Sequence, residues 1–329
     1  KAPSIYAPHI SPSNTRSRRQ YILSVMAENG FISQEEKQAA LDESIWVLAQ
    51  EAEKQLYSWY IDEALRESAE LLGLSADEVI QGGFKIYTAY DARLQTIADE
   101  VYADSSFFPA AASDGTPIQS AMAVVDTNNG AVLAMIGGRD YTVRRGLNRA
   151  TQMRRQPGSA LKPLAVYGPA LELGYMTASV LLDEKTSFGG YTPRNAGDRY
   201  YGLVTMRTAI RNSLNTTAVR LLEEIGLDAS IQYLNKMGIP TRNSDRNLSL
   251  ALGSMTYGVT PVELAAAYVP YANGGIYHQP YCVERIETVD GSNVYERKDS
   301  GKQVLSAQNA FLMTSLLQSV VSSGTGTRM

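Results

Sequence analysis

Histidine and cysteine are almost missing from these 329 residues: His9, His278 and the single Cys282 are all there is. One thiol excludes an intrachain disulfide framework, and so few imidazole and thiolate ligands exclude a cysteine-built zinc site or a histidine cluster. No metal and no cofactor is expected, and Cys282 and His278 read as packing or surface residues. Long apolar runs are lacking too: no window approaches the roughly 18 residues of a membrane-spanning helix, and no charged-then-apolar leader is present. Nor is there an excess of positive charge. Thirty Lys and Arg against 34 Asp and Glu leave a net charge of -4, which removes the electrostatic footprint of a nucleic-acid binder. What is present is an ordinary globular composition, 44% hydrophobic and 19% charged, with length for about two or three domains. Its chemistry has to rest on hydroxyls, amines, carboxylates and amides.

The first 45 residues read as helical. Ser13 and Thr15 are candidate caps for a helix with Tyr21, Ile22, Val25 and Met26 on one face and Gly30 closing it. Ser33-Gln34-Glu35-Glu36 has the form of a capping box. A helical run spans residues 45–72, ending at Gly73. Residues 84–90 read as a strand and 92–102 as an amphipathic helix, and the Ser, Ala, Pro and Gly of 104–117 mark a loop or linker. Residues 121–126 and 131–136 face each other across Asn128-Asn129-Gly130, where Asn-Gly supplies the positive φ of a tight hairpin; this hairpin opens a new domain. Helical patterns follow over 161–173, 206–225, 231–237, 262–271 and 307–322. Residues 276–295 read as extended, with a turn at Asp290-Gly291. No internal repeat occurs.

Ser159-Ala160-Leu161-Lys162 follows the turn Gln156-Pro157-Gly158. A spacing of three puts hydroxyl and amine on one helical face, within reach of a hydrogen bond. A serine hydroxyl needs a neighbouring base to attack a carbonyl, and a lysine serves only where burial or a nearby cation makes it neutral. A helix start and the Ser159 N–H would favour negative charge on the attacked oxygen. A solvated Ser and Lys at a helix start would look the same in sequence. The second element is Ser213-Leu214-Asn215, in which Ser213 relays a proton and Asn215 orients a peptide-like carbonyl or Lys162; an ordinary helix cap is the alternative.

Taken together, Arg155-Gln156-Pro157-Gly158-Ser159-Ala160-Leu161-Lys162-Pro163, then Gly202-Leu203-Val204-Thr205-Met206-Arg207 leading to Ser213-Leu214-Asn215-Thr216, resemble the transpeptidase domain of class A penicillin-binding proteins. Leu252-Gly253-Ser254, Gly258-Val259-Thr260-Pro261, Tyr271-Ala272-Asn273-Gly274-Gly275 and the hairpin phrase ending Gly137-Gly138-Arg139 match in the same order. Lys1 to Pro8 with Arg18-Arg19 resembles the end of that family's glycosyltransferase domain, and Tyr87-Thr88-Ala89-Tyr90-Asp91 its interdomain linker. The resemblance implies an α+β serine transpeptidase fold, helices with an antiparallel sheet, divided as 1–45 (glycosyltransferase tail), 46–118 (linker) and 119–329 (transpeptidase). It implies that Ser159 forms an acyl-enzyme with D-Ala-D-Ala stem peptides and with β-lactams, assisted by Lys162, Ser213 and Asn215, and that Asn195 lies near the cleft, where a substrate contact and a turn role are both open to it. The implied partners are peptidoglycan stem peptides and lipid-linked glycan strands, with other wall-synthesis and division proteins. The implied location is the membrane surface outside the cytoplasm, through an N-terminal helix not in this sequence.

Two family features are missing. No Lys-Thr-Gly motif follows the Ser-x-Asn element: Lys185-Thr186-Ser187 lacks the glycine and comes too early, and Lys236-Met237-Gly238 sits in a helical context. Glu28, Glu35 and Glu36 are in ordinary helical positions and are not assigned to glycan polymerisation. The chain starts without Met and stops after Gly324-Thr325-Gly326, so it is expected to be a segment whose sheet lacks C-terminal strands and exposes an edge. The competing readings are a β-lactamase or β-lactam sensor, and an inactive wall scaffold.

Overall fold

The computed structural model describes residues 6, 8, 11–44, 58–298 and 301–328, in two compact units, Lys1–Leu56 and Tyr57–Met329. In the first, α1 (Pro12–Glu28) and α2 (Gln34–Asp42) are joined by a turn, and Arg19 of α1 donates to the carbonyls of Leu41 and Glu43. The Ser33/Glu36 capping box is formed in both directions. The expected capping of α1 by Ser13 or Thr15 is not. The helix begins ahead of both, at Pro12, whose missing N–H is one of the orphans of a first turn, and Thr15 Oγ1 instead donates back to the carbonyls of Ser11 and Tyr6. Gly30 closes the helix at φ 74°.

The second unit opens with α3 (Trp59–Leu72), capped by Ser58 Oγ on the Ile61 N–H and closed by Gly73 in the left-handed region. The helix expected over 45–72 therefore starts at Trp59 among the described residues; 45–57 lie outside them. Next come α4 (Ala76–Gln81), β1 (Lys85–Thr88) and α5 (Ala92–Ala103), the last capped by Asp91. The hairpin is β2 (Met122–Val125) and β3 (Val132–Ile136), and at its turn Gly130 adopts φ 78° with its N–H on the Asp126 carbonyl.

The fold is α+β, with every strand pair antiparallel and the strands in several small sheets: β1 pairs with β7 (Val283–Glu287) and β7 with β8 (Asn293–Glu296), β2 pairs with β3, β4 (Val180–Asp183) with β5 (Gly202–Thr205), and β6 (Ile276–Tyr277) with β9 (Lys302–Gln303). Among the described residues β2 has a partner on one side only, and beside it runs a groove of about 890 Å³ lined by Ala123, Val125, Tyr268, Tyr271, Leu317 and Val321.

The larger core is helical. Residues 158–172 run as a 3₁₀ turn (Gly158–Leu161), a π-helical turn (Pro163–Tyr167) and α6 (Gly168–Glu172). Apart from Lys162, residues 161–171 of this rod are apolar, and they are buried on all sides: Leu161, Leu164, Ala165, Val166, Tyr167 and Ala170 have no exposed surface. Against it pack α8 (Asn215–Ile225) and α9 (Leu227–Lys236). On α8, Ala218, Val219, Leu221 and Leu222 recur at helical spacing and are fully buried, each large side chain contributing about 1.5–3 kcal/mol. The helix expected over 206–225 is two helices, α7 (Met206–Arg211) and α8, broken at residues 212–214. α10 (Pro261–Ala272), started by a Thr260/Glu263 capping box, and α11 (Ala307–Ser323) complete the layer.

Candidate active site

Lys162 is the one charged residue in the buried stretch 161–171 of this rod, and only 2% of it is exposed. Burial alone, with no opposing charge, pulls its pKa from 10.5 down to about 8. Its Nζ is gripped by three oxygens of the α7–α8 break: the Ser213 carbonyl at 2.6 Å, Ser213 Oγ at 3.1 Å and Asn215 Oδ1 at 2.6 Å. An ammonium has three donors, so these contacts would use all of them. The neutral amine has two N–H groups and a lone pair. Two of its partners, the carbonyl and the amide oxygen, can only accept, and the third is a hydroxyl able to donate, so the arrangement also suits the uncharged form.

The sequence forms this grip through a strained turn. α7 ends with the Leu214 N–H on the Ala209 carbonyl (2.9 Å) and the Ser213 N–H on the Ile210 carbonyl (3.0 Å), an ending that needs a left-handed residue at 213. Glycine usually fills that place. Here it is Ser213, at φ 52°, and the left-handed turn presents both its carbonyl and its hydroxyl to Lys162. A non-glycine residue in that region costs about 1–2 kcal/mol, and such strain gathers at functional sites.

Asn215 opens α8. Its Oδ1 accepts from Lys162 and its Nδ2 donates to the Arg194 carbonyl at 2.7 Å, which fixes which end of the amide faces the amine. Ser159 lies in the 3₁₀ turn with an exposed side chain, and its hydroxyl is not among the partners of Lys162. The hydrogen bond expected between Ser159 and Lys162 is thus replaced by those to Ser213 and Asn215.

The Ser159 turn is clamped from outside. Tyr268 Oη donates to the Ala160 carbonyl (2.6 Å) and Tyr271 Oη to the Pro163 carbonyl (2.9 Å), both from α10. Arg155 and Val259 exchange two backbone hydrogen bonds, at 3.0 and 2.9 Å. Gly253, at φ 78°, approaches so closely that a Cβ there would sit 2.0 Å from the Gly158 oxygen. Gly253 appeared in sequence only as part of a matched phrase, which gave neither its packing role nor its partner.

Asn195, with a substrate contact or a turn role open to it in the sequence, is buried, and every valence of its amide is taken. Oδ1 accepts from the N–H groups of Asn215 (2.7 Å) and Thr216 (3.2 Å), while Nδ2 donates to Asp183 Oδ1 (2.8 Å) and to the Arg199 carbonyl (2.9 Å). Through these bonds it caps α8. Asp183, fully buried, was missed by sequence reading; its one signal was a carboxylate ending the apolar run Val180-Leu181-Leu182. The rejected triplets stay away from this cluster: Lys185 to Ser187 follow β4, with Thr186 meeting Arg220, and Lys236 is exposed in the last turn of α9. Cys282 is buried, and burial raises its thiol pKa, which disfavours the thiolate form. Among the described residues no group of three His, Cys, Asp or Glu is placed to hold a metal ion, and no helix is long and apolar enough to cross a membrane.

Residues 120–329 match the family model described as the penicillin binding protein transpeptidase domain. Over 331 residues the chain is 40% identical to penicillin-binding protein 1F of Bacillus subtilis, covering 99% of this chain and 45% of that one. It is 32% identical to penicillin-binding protein 2a of Streptococcus pneumoniae, over 99% of this chain and 46% of that one. The chain thus spans about half the length of the curated relatives it matches. In fold it is similar to penicillin-binding protein 1A of Haemophilus influenzae (TM-score 0.77, 23% identity, 99% of this chain and 68% of that one). It is also similar to PonA1 of Mycobacterium tuberculosis in complex with penicillin V (TM-score 0.68, 23% identity, 80% and 70%).

Proposed function

Because the chain belongs to the penicillin-binding protein transpeptidase family, we propose that its protein is a serine D,D-transpeptidase of peptidoglycan and a target of β-lactams. The observation that carries this reading is the uncharged, buried environment of the Lys162 amine between Ser213 and Asn215, one 3₁₀ turn from the exposed Ser159. Ser159 Oγ bonds to the carbonyl carbon of the penultimate D-alanine, and its proton passes to the neutral Lys162 amine. The peptide C–N bond then breaks and the departing D-alanine amine takes a proton relayed through Ser213. The resulting ester is opened by an amine from a neighbouring stem, whose proton leaves by the same route. Asn215 holds the lysine and offers its amide edge to the stem. A β-lactam ring opened by Ser159 gives an ester on the same oxygen.

The whole protein is proposed to act at the outer face of the membrane, on stem peptides and on lipid-linked glycan strands, with residues 1–45 as the tail of a glycosyltransferase domain and 46–118 as its linker to the transpeptidase domain. Incubating the full-length protein with a fluorescent penicillin separates the readings. A label that persists on Ser159 supports the transpeptidase; rapid release of opened antibiotic favours a β-lactamase; absence of any label favours a scaffold.

A further inference from the structure

Behind the Lys162 cluster lies a second layer of polar groups. Asp183, at the end of β4, is fully buried; its Oδ1 accepts from Asn195 Nδ2 and from Thr216 Oγ1, and its Oδ2 from the Tyr201 N–H at 3.0 Å. A carboxylate can only accept, so it compels Asn195 to present Nδ2 to it and Oδ1 to the other side. That other side is the start of α8. The residue before the helix, Leu214, has no side chain that could cap it, and Asn195 Oδ1 takes the first two N–H groups in its place. Asn215, the first residue of α8, is therefore tied twice to this loop: through its N–H to Asn195 and through Nδ2 to the Arg194 carbonyl.

We propose that Asp183 and Asn195 are positioning residues: together they cap α8 from outside the helix and so hold Asn215 and the Ser213 turn on the Lys162 amine. This rests on the assignment of Lys162 given under Proposed function. The amine's own hydrogen bonds go to neutral oxygens, from the Ser213 turn and from α8; of the charged residues in the segments packed there, Asp183 stands behind Asn195 and Arg194 offers only its carbonyl. Loosening the cap would let water reach the amine and undo its desolvation.

The test compares Asp183→Asn and Asn195→Asp, singly and combined, in the full-length protein. Asp183→Asn keeps shape but sets an N–H₂ against a donor, and Asn195→Asp sets two carboxylates face to face. The double variant exchanges donor and acceptor and restores a pair. The readout is the titration of Lys162, followed by NMR with ε-¹³C-lysine and assigned with Lys162→Arg, beside the pH dependence of fluorescent penicillin labelling and the melting temperature. Each single variant is expected to raise the Lys162 midpoint by about one pH unit and to slow labelling at neutral pH, and the double variant to recover part of both. An unchanged midpoint in both single variants, even with a lowered melting temperature, would mean a role in stability alone and overturn the proposal. A double variant no better than Asn195→Asp would do the same. If the wild type itself failed to label, the functional reading would fall while the NMR titration still decided the positioning.

Discussion

Replacing Ser213 by glycine or alanine separates what its backbone does from what its hydroxyl does. Both variants lose the Ser213 Oγ contact with Lys162 at 3.1 Å and keep the carbonyl contact at 2.6 Å. They differ in the left-handed turn at φ 52°. Alanine keeps the penalty of about 1–2 kcal/mol for an L-residue there, whereas glycine escapes it and instead gives up about 0.4–1 kcal/mol through a freer unfolded chain. The glycine variant should therefore be the more stable by about 0.5–1 kcal/mol. Relative to the wild type both also lose one hydrogen bond, about 0.5–1.5 kcal/mol, so Ser213→Gly should stay within about 1 kcal/mol of it. Denaturant unfolding measures the pair. Penicillin labelling should fall by about 100-fold or more in both, the scale of a lost proton relay. An alanine variant as stable as the glycine one, or a glycine variant labelling at the wild-type rate, would refute the claim that strain at 213 serves the hydroxyl.

Lys162 makes stability depend on pH. Its folded pKa, about 8, lies below the ordinary 10.5, so between those values the unfolded chain holds more protons and stability rises with pH. Against Lys162→Met, the wild type should gain up to about 3 kcal/mol as pH climbs from below 8 to above 10.5, read by unfolding titrations at each pH. The labelling rate should climb through the same lower midpoint, near pH 8, as the amine loses its proton. Gly253→Ala combines a forbidden φ with a Cβ 2.0 Å from the Gly158 oxygen; it should cost about 3 kcal/mol in chemical unfolding and displace the Ser159 turn, slowing labelling beyond the loss of folded protein.

How much of this was legible in the sequence depends on range. Local signals served well: the Ser33 capping box, the Gly130 hairpin and the α5 helix are set by neighbours a few residues apart, and each formed. The break between α7 and α8 was hidden because its left-handed residue is a serine, and the apolar spacing runs through it with no Gly or Pro to mark it. Ser159, Lys162, Ser213 and Asn215 stood out as chemistry-bearing residues, and a contact of Asn215 with Lys162 was one of the two roles open to its amide, but the full set of partners of the amine did not stand out. The spacing of three suggested a Ser159–Lys162 bond, whereas the amine turns to oxygens 51 and 53 residues away, which no local rule reaches. Asp183 lies further still from recognition, since a buried carboxylate reads in sequence as a solvated strand end; Asn195 was singled out, but its partners were not.

The central claim is that Ser159 is the nucleophile and Lys162 its base. The direct measurement is peptide mapping by mass spectrometry after exposing the full-length protein to penicillin. The account predicts one adduct, of the antibiotic's mass, on the Ser159 hydroxyl, absent in Ser159→Ala and much slower to form in Lys162→Met. An adduct on another residue, or one that persists when Ser159 is alanine, would contradict it.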